Sequence, residues 1–206
     1  MLGAGQIFTL LFVTLGPLKL LGPFFSQTRG LEKAVIRRLA IQAFAMAVVA
    51  GIAGALLGRT LALNWRVSEP ALVITVSVVL FLVALKQVME VYQSKGQAPE
   101  PLPKQYLPAA LRVVFPGVLT PYGLAALIGL LSIPENARTE LVLGLFVLVA
   151  VLDLLAMLLC DFIMKPPVLL VLQVLGAVLG VLQVALAVQF LILGLRLLGV
   201  IPPLSA

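Results

Sequence analysis

Six apolar tracts, separated by short clusters of charged and turn-forming residues, make up almost the whole chain. Ala4 to Gln27 carries no charge before Lys19, and it is followed by a basic loop with Arg29, Glu32, Lys33, Arg37 and Arg38. Leu39 to Leu61 is the second tract. A turn holding Asn64, Trp65, Arg66 and Glu69 leads to Pro70, which suits the first position of a third helix running to about Tyr92. Gln93 to Pro108 contains four prolines and no sustained apolar run, so it reads as a solvated linker. Pro108 to Ile133, Leu141 to Met164 and Val168 to Leu198 complete the series, with Lys165-Pro166-Pro167 stopping the fifth tract. Each is long enough for the roughly 20 residues that a helix needs to cross a bilayer. The last, at 31 residues, would span about 46 Å against a hydrocarbon core of about 30 Å, so it is expected to tilt, kink or begin in the interface.

Two of these tracts contain helix breakers. The first has Gly16-Pro17 and Gly22-Pro23, and the fourth has Pro116-Gly117 and Thr120-Pro121-Tyr122-Gly123. Proline removes a backbone donor and clashes with the preceding turn, so an unbroken helix is not expected through either run. In lipid the freed backbone groups must meet protein, water or solute, and broken helices of this kind form substrate sites in transporters. The candidate solute site is therefore built on Thr14, Gly16 and Pro17 in the first break and on Pro116, Gly117, Thr120 and Pro121 in the second.

Six tracts divide into two sets of three, and an odd-numbered repeat inserts its second copy upside down. Pro17 and Pro121 lie 104 residues apart, and Gln87 and Gln189 lie 102 apart, which gives the halves a common offset. Gln87 and Gln189 accordingly join the candidate substrate residues as amides facing each other across the repeat axis. The expected fold is an all-α, polytopic membrane protein. Six transmembrane helices would form two inverted three-helix repeats with broken first helices, residues 1–92 and 108–206, joined by a cytoplasmic linker at 93–107. The second tract also carries Gly54-x-x-x-Gly58 and Ala47, Gly51 and Ala55 at intervals of four, small residues that let helix backbones approach, here within the molecule rather than between molecules.

Composition agrees with this picture: 62% hydrophobic and 11% charged residues fall far outside the range of soluble domains, at about 45–50% and about 25%. The net charge of +6 does not point to nucleic acid, because the cations cluster at helix ends and loops. Nine Lys and Arg residues flank the loops after tracts one, three and five, against Arg59, Arg66, Arg138 and Arg196 on the other side. That asymmetry places the first set in the cytoplasm and both termini outside. The first tract lacks the basic n-region and cleavage site of a secretory signal and is expected to stay. With no histidine, His-based metal sites and hydrolytic dyads are unavailable, so no enzyme activity, metal or cofactor is expected. The lone Cys160 reads as a small buried hydrophobe.

Charged groups at membrane depth are costly. Asp153 and Lys19 both fall near mid-span, and two readings stand side by side: an ion pair locking two helices, or a coupling-proton site at Asp153. Thr75, Ser77 and Gln183 are further polar candidates, and hydroxyls near breaks can equally serve freed backbone.

The order and spacing of several pieces resemble a known family: Pro17-Leu18 with Pro23-Phe24, Thr28-Arg29-Gly30-Leu31 leading to Arg37-Arg38, Pro70-Ala71-Leu72, Phe81 with Ala84-Leu85, Pro116 with Pro121, and Gly180 followed by Ala187-Val188-Gln189-Phe190. Together they resemble the MarC family of six-span bacterial and archaeal inner-membrane proteins, related to the amino-acid exporter superfamily and including proposed small neutral amino acid transporters. The chain departs from the family's usual pattern at Gly16 (usually Asp or Asn), Lys19 (usually Gly), Val76-Ser77 (usually Gly-Gly) and Thr120-Pro121-Tyr122 (usually Gly-Pro-Gly). The resemblance implies a prokaryotic inner-membrane protein that transports a small neutral amino acid by alternating access. The partners would be the lipid bilayer and a small solute coupled to protons or sodium, with self-association into a homo-oligomer left open. The competing reading is a non-transporting scaffold or assembly factor whose breaks are packing devices.

Overall fold

The computed structural model describes residues 3–92, 113–132, 136–164 and 166–202, and every regular element among them is helical. In chain order these are α1 (Ala4–Leu15), α2 (Pro17–Thr28), α3 (Lys33–Asn64), α4 (Glu69–Tyr92), a π-helical turn π1 (Val113–Val118), α5 (Pro121–Leu131), α6 (Asn136–Leu158), α7 (Cys160–Ile163) and α8 (Pro166–Leu197). The expected linker at 93–107 lies outside the described residues. Four segments are long and apolar enough to cross a membrane: Ala4–Thr28, Lys33–Asn64, Thr139–Leu158 and Val174–Leu197. Shorter apolar helices cover Glu69–Leu85 and Pro121–Leu131. The protein is a multi-pass, all-helical membrane protein.

Both expected interruptions are present, and they share a local plan. At Gly16 the backbone turns extended, with φ −75° and ψ 174°, and Pro17 then opens α2. At Thr120 it is again extended, with φ −83° and ψ 145°, and Pro121 opens α5. Proline fits the first helical position because its missing N–H would have no partner there and its φ is already helical. Ahead of Thr120 the chain widens into π1, closed by a Leu119 N–H bond to the Val114 carbonyl at 2.7 Å across five residues. Such a wide turn absorbs the bond that Pro116 cannot donate.

The last tract resolves its excess length without a break, since α8 is one helix of 32 residues, about 48 Å long. Val174, Val178, Val181 and Leu182 on it are exposed, an apolar surface suited to lipid. Helix α8 packs along α4, while α6 packs on α1, α2 and α3. Around the two breaks the contacts are reciprocal: α1 lies on α5, and α2 lies on π1.

Small residues of α3 set the approach between layers. A Cβ added at Gly51 would strike the Phe146 ring, one at Gly54 would sit 3.2 Å from Leu124, and one at Gly58 would strike the Ile128 side chain. The Gly54-x-x-x-Gly58 motif is thus an intramolecular seam, as its spacing suggests. Cys160 is buried, in keeping with its reading as a small apolar residue. Gly58→Leu should destabilise the protein by about 1–3 kcal/mol through overpacking. A thermal unfolding series in detergent checks this, with Gly144→Leu, where nothing lies within 4 Å of an added Cβ, as the neutral control.

Candidate functional site

Breaking α1 from α2 frees the last carbonyls of α1, and Thr14 shows how one of them is satisfied. Its own hydroxyl donates back to the Leu10 carbonyl at 2.7 Å. Its carbonyl accepts from the Thr120 hydroxyl at 3.2 Å, across 106 residues of sequence. The same Thr120 oxygen accepts the Gly123 N–H at 3.1 Å and so caps α5. One side chain therefore closes both breaks. Thr14 is fully buried and Thr120 nearly so. Gly123 leaves room for this join, because a Cβ there would strike the Leu15 side chain and come within 2.8 Å of the Thr120 hydroxyl.

One turn further along α2, Lys19 reaches across the same junction. Its Nζ donates to the Tyr122 hydroxyl at 3.2 Å and to Gln183 Oε1 at 3.3 Å, and it lies 4.7 Å from the Tyr122 ring centroid. Gln183, on α8, is completely buried, and its Nε2 has no partner. Three elements from distant parts of the sequence, α2, α5 and α8, thus meet at one ammonium. The start of α2 stands beside it, bringing N–H groups with no intrahelical partner, whereas at the start of α5 Thr120 already accepts the Gly123 N–H.

Asp153 sits on the inward stripe of α6 with Phe146, Val149, Ala150 and Met157 and is 1% exposed. Neither carboxylate oxygen has a hydrogen-bond partner among the described residues. The ion pair to Lys19 is therefore not formed. Lys19 turns instead to two neutral oxygens, each of which accepts a hydrogen bond without adding a second desolvated charge.

The remaining sequence candidates divide by position. Gly16 is buried and Pro17 half-buried at the first break; Gly117 is half-buried and Pro121 exposed at the second. Gln189 is exposed on α8 and does not face the junction side as Gln183 does. A separation of six positions, at 3.6 residues per turn, places the two amides on different faces. The side chains of Gln87 and Pro116 lie outside the described set. Thr75 and Ser77 bond back to carbonyls of their own helix, Ala71 and Ile74. Tyr122 and Gln183, absent from the candidate substrate set, are the side chains the junction recruits. The signal for Tyr122 was its place immediately after a break-forming proline.

A separate groove of about 160 Å³ lies between α4 and α8, lined by Ser77, Val78, Phe81, Leu82, Ala187, Val188 and Leu191. Its walls are apolar and its one hydroxyl is already bonded, so it offers nothing to a polar solute.

A family model described as MarC family integral membrane protein matches residues 4–198. The chain belongs to this family. No curated protein and no solved structure matches it. In this MarC family chain the matched region contains both breaks, the Lys19 cluster and Asp153.

Two outcomes follow from the geometry. Thr120→Val removes the α5 cap and leaves the Thr14 carbonyl unbonded, so it should cost about 2 kcal/mol in thermal unfolding, while Thr120→Ser should retain most of the stability. A double-mutant cycle on Lys19→Met and Asp153→Leu should give a coupling below about 0.5 kcal/mol, as expected of groups that share no bond.

Proposed function

We propose that this protein is a secondary transporter of a small polar solute, with the solute site at the junction of the two broken helices. The observation that carries the reading is the Thr120–Thr14 bond together with the Lys19 cluster, which puts half-helix starts, a cation and an unpartnered amide at one point inside an apolar helical protein. A packing device needs the backbone bond alone. It has no use for a desolvated ammonium or an orphaned amide, each of which costs free energy when buried. The small neutral amino acid implied by the family resemblance is the first solute class to screen.

The reciprocal contacts, α1 on α5 and α2 on π1, support an inverted repeat of 1–92 and 108–206, with alternating access arising as one half rocks against the other. Asp153 serves as the coupling site. A lone buried carboxyl can carry a proton without further ligands, and each loading changes the electrostatic cost of the packed state. The family resemblance implies a prokaryotic inner-membrane protein, and the charge count supports both termini outside.

Purified protein in liposomes, screened with labelled amino acids with and without a proton gradient, tests the reading. Gradient-driven accumulation is expected, and no uptake under either condition would leave the scaffold reading in its place. Asp153→Asn should abolish accumulation against a gradient and spare solute exchange at equal pH. Lys95→Cys should resist an impermeant thiol reagent added to intact cells and react in inverted vesicles, as the cytoplasmic linker requires.

A further inference from the structure

We infer that the junction accepts a compact carboxylate anion in preference to a zwitterion, held by Lys19, Gln183 and the amino-terminal turn of α2. The inference rests on the transport reading above and names its solute class.

The described side-chain groups around the site are weighted toward donors. Both hydrogen-bond partners of the Lys19 ammonium, the Tyr122 hydroxyl and Gln183 Oε1, are neutral, and of its three N–H bonds these take two. Because the amide oxygen of Gln183 faces the ammonium, the amide nitrogen beside it holds two further N–H bonds, unpartnered and fully buried. Gly16 gives α2 no side-chain cap, so the N–H groups of Leu18 and Lys19 meet no cap there. The positive end of the α2 dipole adds to the ammonium rather than offsetting it. Lys19 and Tyr122 are only half-buried, so the ammonium is partly exposed, with the fully buried Gln183 amide behind it.

What a zwitterion would need besides is an acceptor for its ammonium. Thr14 offers a freed carbonyl, but one of its two lone pairs is already taken by the Thr120 hydroxyl. Asp153 makes no bond to the cluster. The site therefore combines a fixed positive charge with donors, and a carboxylate supplies both the missing charge and acceptors for several donors at once.

Lactate and alanine make a matched pair of probes, alike in carboxylate and size and differing in hydroxyl against ammonium. The full chain in liposomes is assayed for exchange of each labelled compound, with protein-free liposomes as background, and for the shift each causes in unfolding temperature. Lactate is expected to compete at least about tenfold better than alanine. Lys19→Met should remove that preference and Lys19→Arg should keep much of it. Gln183→Glu, by placing a carboxylate beside the ammonium, should weaken lactate and favour alanine. Alanine exchange equal to or better than lactate exchange would overturn the anion inference and leave transport standing. Lactate binding without exchange of either compound would leave the site and sink the transport reading. Unchanged lactate preference in a folded Lys19→Met protein would also overturn the inference, and neither binding nor exchange of lactate would do the same.

Discussion

A carbonyl that loses its helical partner inside hydrocarbon has no water to turn to, and each broken helix in this protein creates several such groups. The architecture depends on how they are answered. Thr120 answers on both sides at once, donating to the Thr14 carbonyl of the first break and accepting from the Gly123 amide of the second. That double use requires the two breaks to sit in direct contact, which in turn requires residues without bulk where helices close on them. Gly123 leaves space for Leu15, and Gly51, Gly54 and Gly58 let α3 come down on Phe146, Leu124 and Ile128. The glycine seam and the hydrogen bond are two aspects of one constraint.

Charge inside the protein follows a different rule from the one that complementary signs suggest. Lys19 is desolvated only in part and is stabilised by a phenol, an aromatic face and an amide oxygen. Asp153 is buried on α6, and neither of its carboxylate oxygens has a hydrogen-bond partner among the described residues. Keeping them unpaired leaves neither charge neutralised by the other. A buried ion pair would have consumed both.

Local chemistry in the sequence was enough to place the breaks, the all-helical membrane class and the small-residue seam. Pro17 and Pro121 declare a helix start wherever they stand, and the glycine spacing on α3 has meaning only as a close helix contact. The cluster itself was not legible, because its members come from α2, α5 and α8 and nothing in their spacing says that they meet. Gln189 was singled out by its offset from Gln87, yet Gln183 is the amide turned inward, since helical phase rather than sequence distance decides which face a side chain takes. Asp153 and Lys19 were matched by sign, and sign carries no information about distance.

The packing partners also bear on how the protein is made. Among the described elements, α1 rests on α5, α6 and α8, α2 on π1 and α6, α3 on α5, π1 and α6, and α4 on α5 and α8, whereas α1 and α2 share only a small contact with each other. Nearly every partner of the first four helices therefore leaves the ribosome after they do. The nascent amino-terminal half has to wait in the bilayer as loosely associated helices, with the Thr14 carbonyl unanswered until Thr120 is synthesised. A chain truncated at the linker would hold that exposed, broken helix indefinitely, and it is such a product that membrane quality control would be expected to remove first.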